Sequence, residues 1–259
     1  MPFILTILLL FSFSFAKGEP LGAGAKELAK GNAAVADTSA FFAAYWNTGM
    51  LAFKRDLSIA AHLDNRSLGR AGGAFGIDAG VGNRVGIGAA LLARKDSTES
   101  DTVAYTGYIG LGYRLSKTDA VGFSYQNPFS FNMGWFKFWN EKWQSGLQIG
   151  AKAIEAGVTH RNLFFSKPAS VSLSLLSYQE DSILAFDPDE HVLRGRFGFE
   201  WRGVTNGDLR LGIDGKNPSV GWGYAFCIGD KILFIDYALM YEWEADLLNP
   251  LSLSLRMKF

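Results

Sequence analysis

The chain has 259 residues, enough for one large barrel or two small domains. Lys and Arg number 25 and Asp and Glu 25, a balance that argues against nucleic acid or any other polyanion as a partner. The single cysteine, Cys227, rules out an internal disulfide and a cysteine-based metal cluster.

The opening stretch, MPFILTILLLFSFSFA, is apolar from Pro2 to Ala16. That is short of the ~20 residues a spanning helix needs. Ser14 and Ala16 are small residues at the −3 and −1 positions of a cleavage site, although no Lys or Arg precedes the apolar run. Residues 1–16 therefore read as a cleaved secretory signal, with a retained anchor as the alternative. No later segment approaches 18 apolar residues without a charge, which excludes a helical membrane protein. The mature chain is expected to be exported.

Residues 17–55 form the next unit. Its main part, LGAGAKELAKGNAAVADTSAFFAAYWNTGMLAF, is rich in Ala and Gly, with weak helical character around Lys26–Lys30 and Ser39–Tyr45. It is too apolar for a free periplasmic tail. The expectation is a plug folded into the mouth of the barrel that follows; the alternative is a short periplasmic helix pair.

From residue 56 to 259 a period of two fits better than a period of 3.6. In VAYTGYIGLGYRL, Val103, Tyr105, Ile109, Leu111, Tyr113 and Leu115 share one face. LRGRFGFEWR sets Leu193, Phe197, Phe199 and Trp201 against Arg194, Arg196, Glu200 and Arg202; VGWGYAFCI and LFIDYALMYEW repeat the pattern. A soluble sandwich would use strands of about 5–6 residues, whereas a tilted spanning strand needs ~9–11. The segments here run to the longer length, and their ends carry Tyr and Trp as interfacial girdles do. The fold expected is all-β: a closed antiparallel transmembrane β-barrel in the bacterial outer membrane, its greasy face on lipid.

Candidate strands lie near 56–63, 71–80, 84–94, 102–115, 119–127, 129–139, 144–153, 158–165, 169–178, 191–202, 207–214, 218–228, 231–243 and 250–259. That is fourteen, with twelve as the fallback, because 129–139 and 158–165 alternate poorly. With both termini periplasmic, the short turns VGN, SKT, NEK, SKPA, VTNG and GDK fall on one side; the longer ARKDSTESD and QEDSILAFDPDE fall on the other. The last strand, LNPLSLSLRMKF, alternates strictly and ends on Phe259. In a closed barrel it is the closing strand rather than a tail. Its alternation and terminal Phe259 look like the signal by which bacterial outer-membrane barrels are recognised for insertion.

The stretch KGNAAVADTSAFFAAYWNTGMLA resembles the start of PorV/PorQ-type proteins, relatives of the FadL fatty-acid channels. Gly31, Ala33, Val35, Ala36, Asp37, Trp46, Asn47, Leu51 and Ala52 match the family pattern; Thr38 stands where a second Asp is usual, and Thr48, Gly49 and Met50 replace Pro-Ala-Gly. The tail FIDYALMY…LSLSLRMKF resembles the family's last two strands. The resemblance covers both ends of the chain. It implies plug roles for Asp37, Trp46 and Asn47, and an accessory part in type IX secretion through contact with exported proteins. The FadL relationship implies instead passive passage of a hydrophobic small molecule.

No catalytic constellation is present: Gly-x-Ser-x-Gly, the phosphate-binding Gly-Lys-Ser/Thr loop and His-Glu-x-x-His are all missing. An outer-membrane enzyme is thus the poorest of three readings, and no cofactor is expected. Of the histidines His62, His160 and His191, His62 falls on the inward face of the first strand, where a solvated lumen histidine is the expectation and a lumen ligand or catalytic base the alternative. Asp187–Glu190 (DPDE) offers carboxylates for a cation, but Pro188 marks it as a loop turn. Arg194, Arg196, Glu200, Arg202, Arg210, Asp214, Asp236, Glu242 and Arg256 are expected on the lumen wall. Mixed signs on adjacent strands read as cross-strand pairs rather than the single-sign ring of an ion-selective pore. Glycines on the same faces would let a plug backbone approach closely.

Overall fold

The computed structural model describes residues 23–65, 71–95, 103–127, 130–163, 168–179, 192–204, 206–243 and 247–259. The signal segment, the DPDE turn and His191 lie outside them. Two short helices come first, α1 (Ala25–Ala29) and α2 (Ala43–Trp46), then a 3₁₀ turn over Thr48–Phe53. Fourteen strands follow: β1 (Ser58–Asn65), β2 (Ala71–Val81), β3 (Val85–Lys95), β4 (Ala104–Arg114), β5 (Asp119–Gln126), β6 (Ser130–Phe138) and β7 (Trp143–Ile149). The second half is β8 (Ala153–Arg161), β9 (Ala169–Tyr178), β10 (Val192–Val204), β11 (Gly207–Asp214), β12 (Asn217–Ile228), β13 (Lys231–Glu242) and β14 (Leu247–Lys258).

Every strand pairs antiparallel with its sequence neighbours, and β1 pairs with β14 from Ser58↔Lys258 to Asn65↔Leu251. The sheet therefore closes on itself. Closure leaves no unpaired edge, the condition for a sheet to stand in hydrocarbon. Its outer face is greasy: Ile109 is 69% exposed, Phe131 74% and Trp222 53%. Exposed apolar side chains in such numbers fit lipid rather than water as their solvent. Trp139 and Trp143, exposed next to the short turn between β6 and β7, sit where an aromatic girdle belongs.

The poorly alternating stretches have separate physical explanations. In β6 the inward residues Phe136 and Phe138 are apolar like the outward ones, because they pack on Phe53 at ring distances of 5.5 and 4.9 Å. A strand greasy on both faces hides its period. The hairpin after it is displaced from the expected place: β7 stops at Ile149 and β8 begins at Ala153, five residues before the predicted start at 158. The turn is closed by Gly150 N donating to Ala153 O at 2.8 Å. A Cβ on Gly150 would collide only with Asn132 Oδ1, the end of a side chain that can turn away.

Side-chain alternation on β14 yields a first prediction. Leu255 is 43% exposed on the outer face, and Leu255→Arg should cost about 2–4 kcal/mol near mid-membrane. Ser254, its inward neighbour, is fully buried and its Oγ accepts a hydrogen bond from Ala25 N at 2.7 Å. Ser254→Arg should therefore also be poorly tolerated, through collision with α1 rather than through lipid. Only Leu255→Arg should be relieved in the closely related Leu255→Ser. Unfolding in urea with refolding into lipid vesicles measures both; a Leu255→Arg barrel as stable as the parent would mean the register is wrong.

Candidate functional site

The interior is occupied by the chain that precedes β1. From Ala23 to Ala52 only Thr38, Ser39 and Tyr45 are more than marginally exposed. Such a segment must find partners for its backbone and polar side chains. Trp46 Nε1 donates to Ala23 O at 3.0 Å, tying the two ends of the segment together. Asn47, fully buried, uses its whole amide. Nδ2 donates to Val35 O at 2.8 Å and to Trp135 O on β6 at 2.9 Å, while Oδ1 accepts from Gly49 N at 2.9 Å and caps the 3₁₀ turn. Asp37 pairs with Lys30 at 2.6 Å and accepts from Ser39 N at 2.9 Å. Burial alone would raise the Asp37 carboxyl; Lys30, Lys26 and Arg161 hold it well below the usual carboxylate range.

The 3₁₀ turn rests on a belt of glycines. Gly80, Gly86, Gly112, Gly122 and Gly134 are mutual Cα partners across β2 to β6. A Cβ at Gly80 would lie 2.5 Å from Lys54 O, one at Gly112 2.6 Å from Ala52 N, and one at Gly86 would overlap the Leu51 carbonyl. On the other wall Gly198 and Gly212, also paired, meet the Lys30 and Gly31 backbone. Glycine weakens a strand, so its recurrence at one level reflects the close approach of a second backbone.

The two walls differ in chemistry. Along β1 to β6 the inward side chains include an apolar cluster, Ala60, Ala74, Ala90, Leu92, Tyr108 and Phe136, packed with Phe42, Tyr45, Trp46 and Leu51, beside the buried polar groups His62, Asp64, Asp78, Ser124 and Asn132. The Tyr45 ring stands edge-on to Tyr108 at 5.3 Å and to Trp46 at 4.9 Å. Along β8 to β13 the interior is ionic. Arg196 reaches Asp214 and Glu155, both at 3.0 Å, and Arg194 stands 3.6 Å from Asp214. Arg210 reaches Asp236 at 2.6 Å, Glu200 at 2.9 Å and Asp208 at 2.9 Å. Lys26 of α1 joins Glu200 at 3.6 Å, and Asn32 Nδ2 donates to Asp214 at 2.7 Å, so both networks also hold the inserted segment.

Each residue picked from the sequence has a definite place. Arg194, Arg196, Glu200, Arg210, Asp214 and Asp236 are buried in the ionic wall. Arg202 is half exposed and 3.0 Å from Glu200; Glu242 is half-buried near the long-loop end. His62 is buried with Nδ1 3.0 Å from Ser254 Oγ. Arg256 is sandwiched between the rings of Phe41 and Phe234, at 4.2 and 4.1 Å. Phe259 is half exposed; its backbone N–H donates to Leu57 O, and its ring lies under Lys231. Among the interior groups that escape the sequence reading are Glu155 (on the displaced β8), Asp78 and Lys54; Arg114 lies on the polar face that alternation gives its strand. Asp78 is 3.7 Å from Lys54 and accepts from Ala43 N; Arg114 Nη2 donates to Ala52 O at 2.8 Å. Asp78 shares the inward parity of Ala74 and Gly76 on β2, the signal by which it could have been found.

A cavity of about 330 Å³ remains between the segment and β10–β14, at the end that carries the short turns; Lys26, Phe41, Arg202, Arg210, Phe234 and Arg256 are among its lining residues. Beside it, α1 carries Glu27, whose Oε1 accepts from Phe41 N at 2.8 Å while Oε2 has no hydrogen-bond partner. Burial pushes this carboxyl up to about 7, against the pull of Lys26. The folded chain thus favours the protonated acid. That contribution to stability is complete below pH 4.5, the ordinary value, and lost as the pH rises through about 7. The thermal midpoint should fall across this window, and Glu27→Gln should flatten the decline; an unchanged slope in the variant would show the group to be hydrated.

No family model and no curated protein matches the sequence. Solved structures do match the fold. The Pseudomonas putida toluene transporter TodX aligns with a TM-score of 0.61 at 10% identity, over 93% of this chain and 98% of that one. A deltaS2S3 mutant of TodX, described as a monoaromatic hydrocarbon channel, gives 0.59 at 9% identity over 92% and 98%. The Acinetobacter baumannii outer membrane protein Omp33 gives 0.50 at 6% identity over 80% and 99%. The architecture is that of an outer-membrane barrel.

Proposed function

We propose that the protein is a non-enzymatic outer-membrane channel that passes a small hydrophobic molecule without energy input, with residues 23–53 acting as its plug. The observation that carries this reading is the apolar inner wall. A water-filled pore has a polar interior, whereas here Ala60, Ala74, Ala90, Leu92 and Tyr108 make an apolar stretch on the inner face of β1–β4, packed against the plug. A hydrophobic solute meeting that wall keeps its apolar surface out of water. The likeness of fold to TodX and its mutant, a toluene transporter and a hydrocarbon channel, supports the same choice. The ionic wall holds the plug on one side by charge, and the greasy wall packs on it on the other, so a hydrophobic solute passes where the plug yields along that apolar contact.

Uptake of radiolabelled toluene by cells with a lipopolysaccharide outer membrane tests this. Expression should raise the initial rate several-fold over cells without the protein, and Tyr108→Asp should abolish the gain while a polar sugar shows none. Toluene uptake equal to that of the control cells would overturn the proposal.

A second reading follows from the PorV/PorQ-like motif over residues 31–52, whose Trp46 and Asn47 are committed to the plug by hydrogen bonds. It makes the barrel an accessory of type IX secretion, with exported proteins as partners. Under that reading loss of the protein stops export of client proteins and leaves toluene uptake unchanged.

A further inference from the structure

The cavity beside β10–β14 holds more positive charge than its carboxylates neutralise. Four cations line it, Lys26, Arg202, Arg210 and Arg256, against Asp208 and Asp236. Glu200, behind them, is a third carboxylate, shared by Lys26, Arg202 and Arg210. Each of those three cations thus has a carboxylate within 4.0 Å. Arg256 has none among the described residues: its contacts are the two ring faces of Phe41 and Phe234 and a 3.5 Å hydrogen bond from Nη1 to Ser39 O, and its Nε is unpartnered. Asp236, the nearest acid by strand register, faces Ser254 and is engaged by Arg210 at 2.6 Å. A guanidinium held between two aromatic rings is pre-organised for a two-point hydrogen bond to a planar oxyanion. Arg202, half exposed, and Asn206, exposed, stand beside the space, leaving a way in from solvent.

We propose that this cavity binds a small organic monocarboxylate of about the size of benzoate, its carboxylate on the free guanidinium edge of Arg256 and its apolar body along Phe41 and Phe234. The volume, about 330 Å³, is ample for a ring with one substituent. The charge follows from Arg256, the lining cation with no carboxylate within 4.0 Å among the described residues. The rings favour an organic acid over a hydrated inorganic ion. The inference stands on this cavity alone and does not depend on what crosses the barrel.

Isothermal titration of the purified full chain in detergent tests it with three probes: benzoate, benzyl alcohol and inorganic phosphate. Benzoate should bind saturably with one site per chain, and the other two at least tenfold more weakly. Arg256→Gln should weaken benzoate at least tenfold. Ala225→Trp, which fills the cavity without removing a charge, should do the same, and it carries the test if the Arg256 variant fails to fold. Benzyl alcohol binding as well as benzoate would remove the charge from the recognition, and phosphate binding as well would remove the rings. Undiminished benzoate binding in Ala225→Trp would place the site elsewhere. Any of these three results overturns the proposal.

Discussion

Replacing Arg210 by methionine is expected to destabilise the folded barrel by about 3–5 kcal/mol, the range for breaking a buried ionic network from one side. Arg210 is the only cation within 4.0 Å of Asp236 among the described residues, at 2.6 Å, and it also holds Glu200 and Asp208. Its removal leaves a carboxylate inside the barrel with no partner, and the cost is the desolvation of that charge rather than the worth of the pairs lost. Arg202 reaches two of the same acids from a half-exposed position, at 3.0 and 3.5 Å, where water screens the interaction. Arg202→Met should cost less than about 1 kcal/mol. The double variant Arg210→Met with Asp236→Leu should recover part of the loss, because the stranded acid is gone. Urea unfolding followed by tryptophan emission measures all three. Equal losses at Arg210 and Arg202 would mean that the interior is wet enough to screen both alike.

The same network shows how far alternation carries a reading of this chain. Arg194, Arg196, Glu200, Arg210, Asp214 and Asp236 are legible as inward because the opposite face of each strand is uniformly apolar, so parity alone assigns them. Their partners are legible only where the neighbouring strand is correctly in phase. Glu155 was out of reach because β8 begins at Ala153, five residues before the sequence suggests, so that residues 154–157 fall in an expected turn where alternation assigns no face. β6 hides for another reason: Phe136 and Phe138 face the inserted segment, so the strand has no polar face to reveal its period. The glycines were visible as a count and as a face. Their alignment at one level across five strands was not, since it depends on the register of every hairpin between Gly80 and Gly134. Arg256 illustrates the remaining limit. Its inward parity is plain in LSLSLRMKF, but its two ring partners come from residues 41 and 234, far apart in sequence.

That glycine belt makes the second large effect predictable. In the pair Gly112→Val with Gly122→Val, the new side chains occupy the space of the Thr48–Ala52 backbone, which lies 2.6 Å from a Cβ at 112 and 2.4 Å from one at 122. Neither position can be relieved by rotating a flexible side chain, since the obstructing atoms are main chain. The strands themselves lose nothing: their ladder bonds are unchanged, and valine suits a strand better than glycine. The barrel should therefore still close, with the 3₁₀ turn driven off its seat. Asn47 then loses its bond to Trp135 O, and the segment loses the contact that fixes its depth. Trypsin should cut after Lys30 and Lys54 at least tenfold faster than in the parent, and planar-bilayer conductance should rise from closed to open levels. Gly107→Val is the control, because no atom lies within 4 Å of a Cβ there; it should leave both readouts unchanged. Trypsin resistance and conductance both equal to the parent's in the Gly112/Gly122 pair would mean that the segment's seat lies elsewhere and that the glycines serve only the strands.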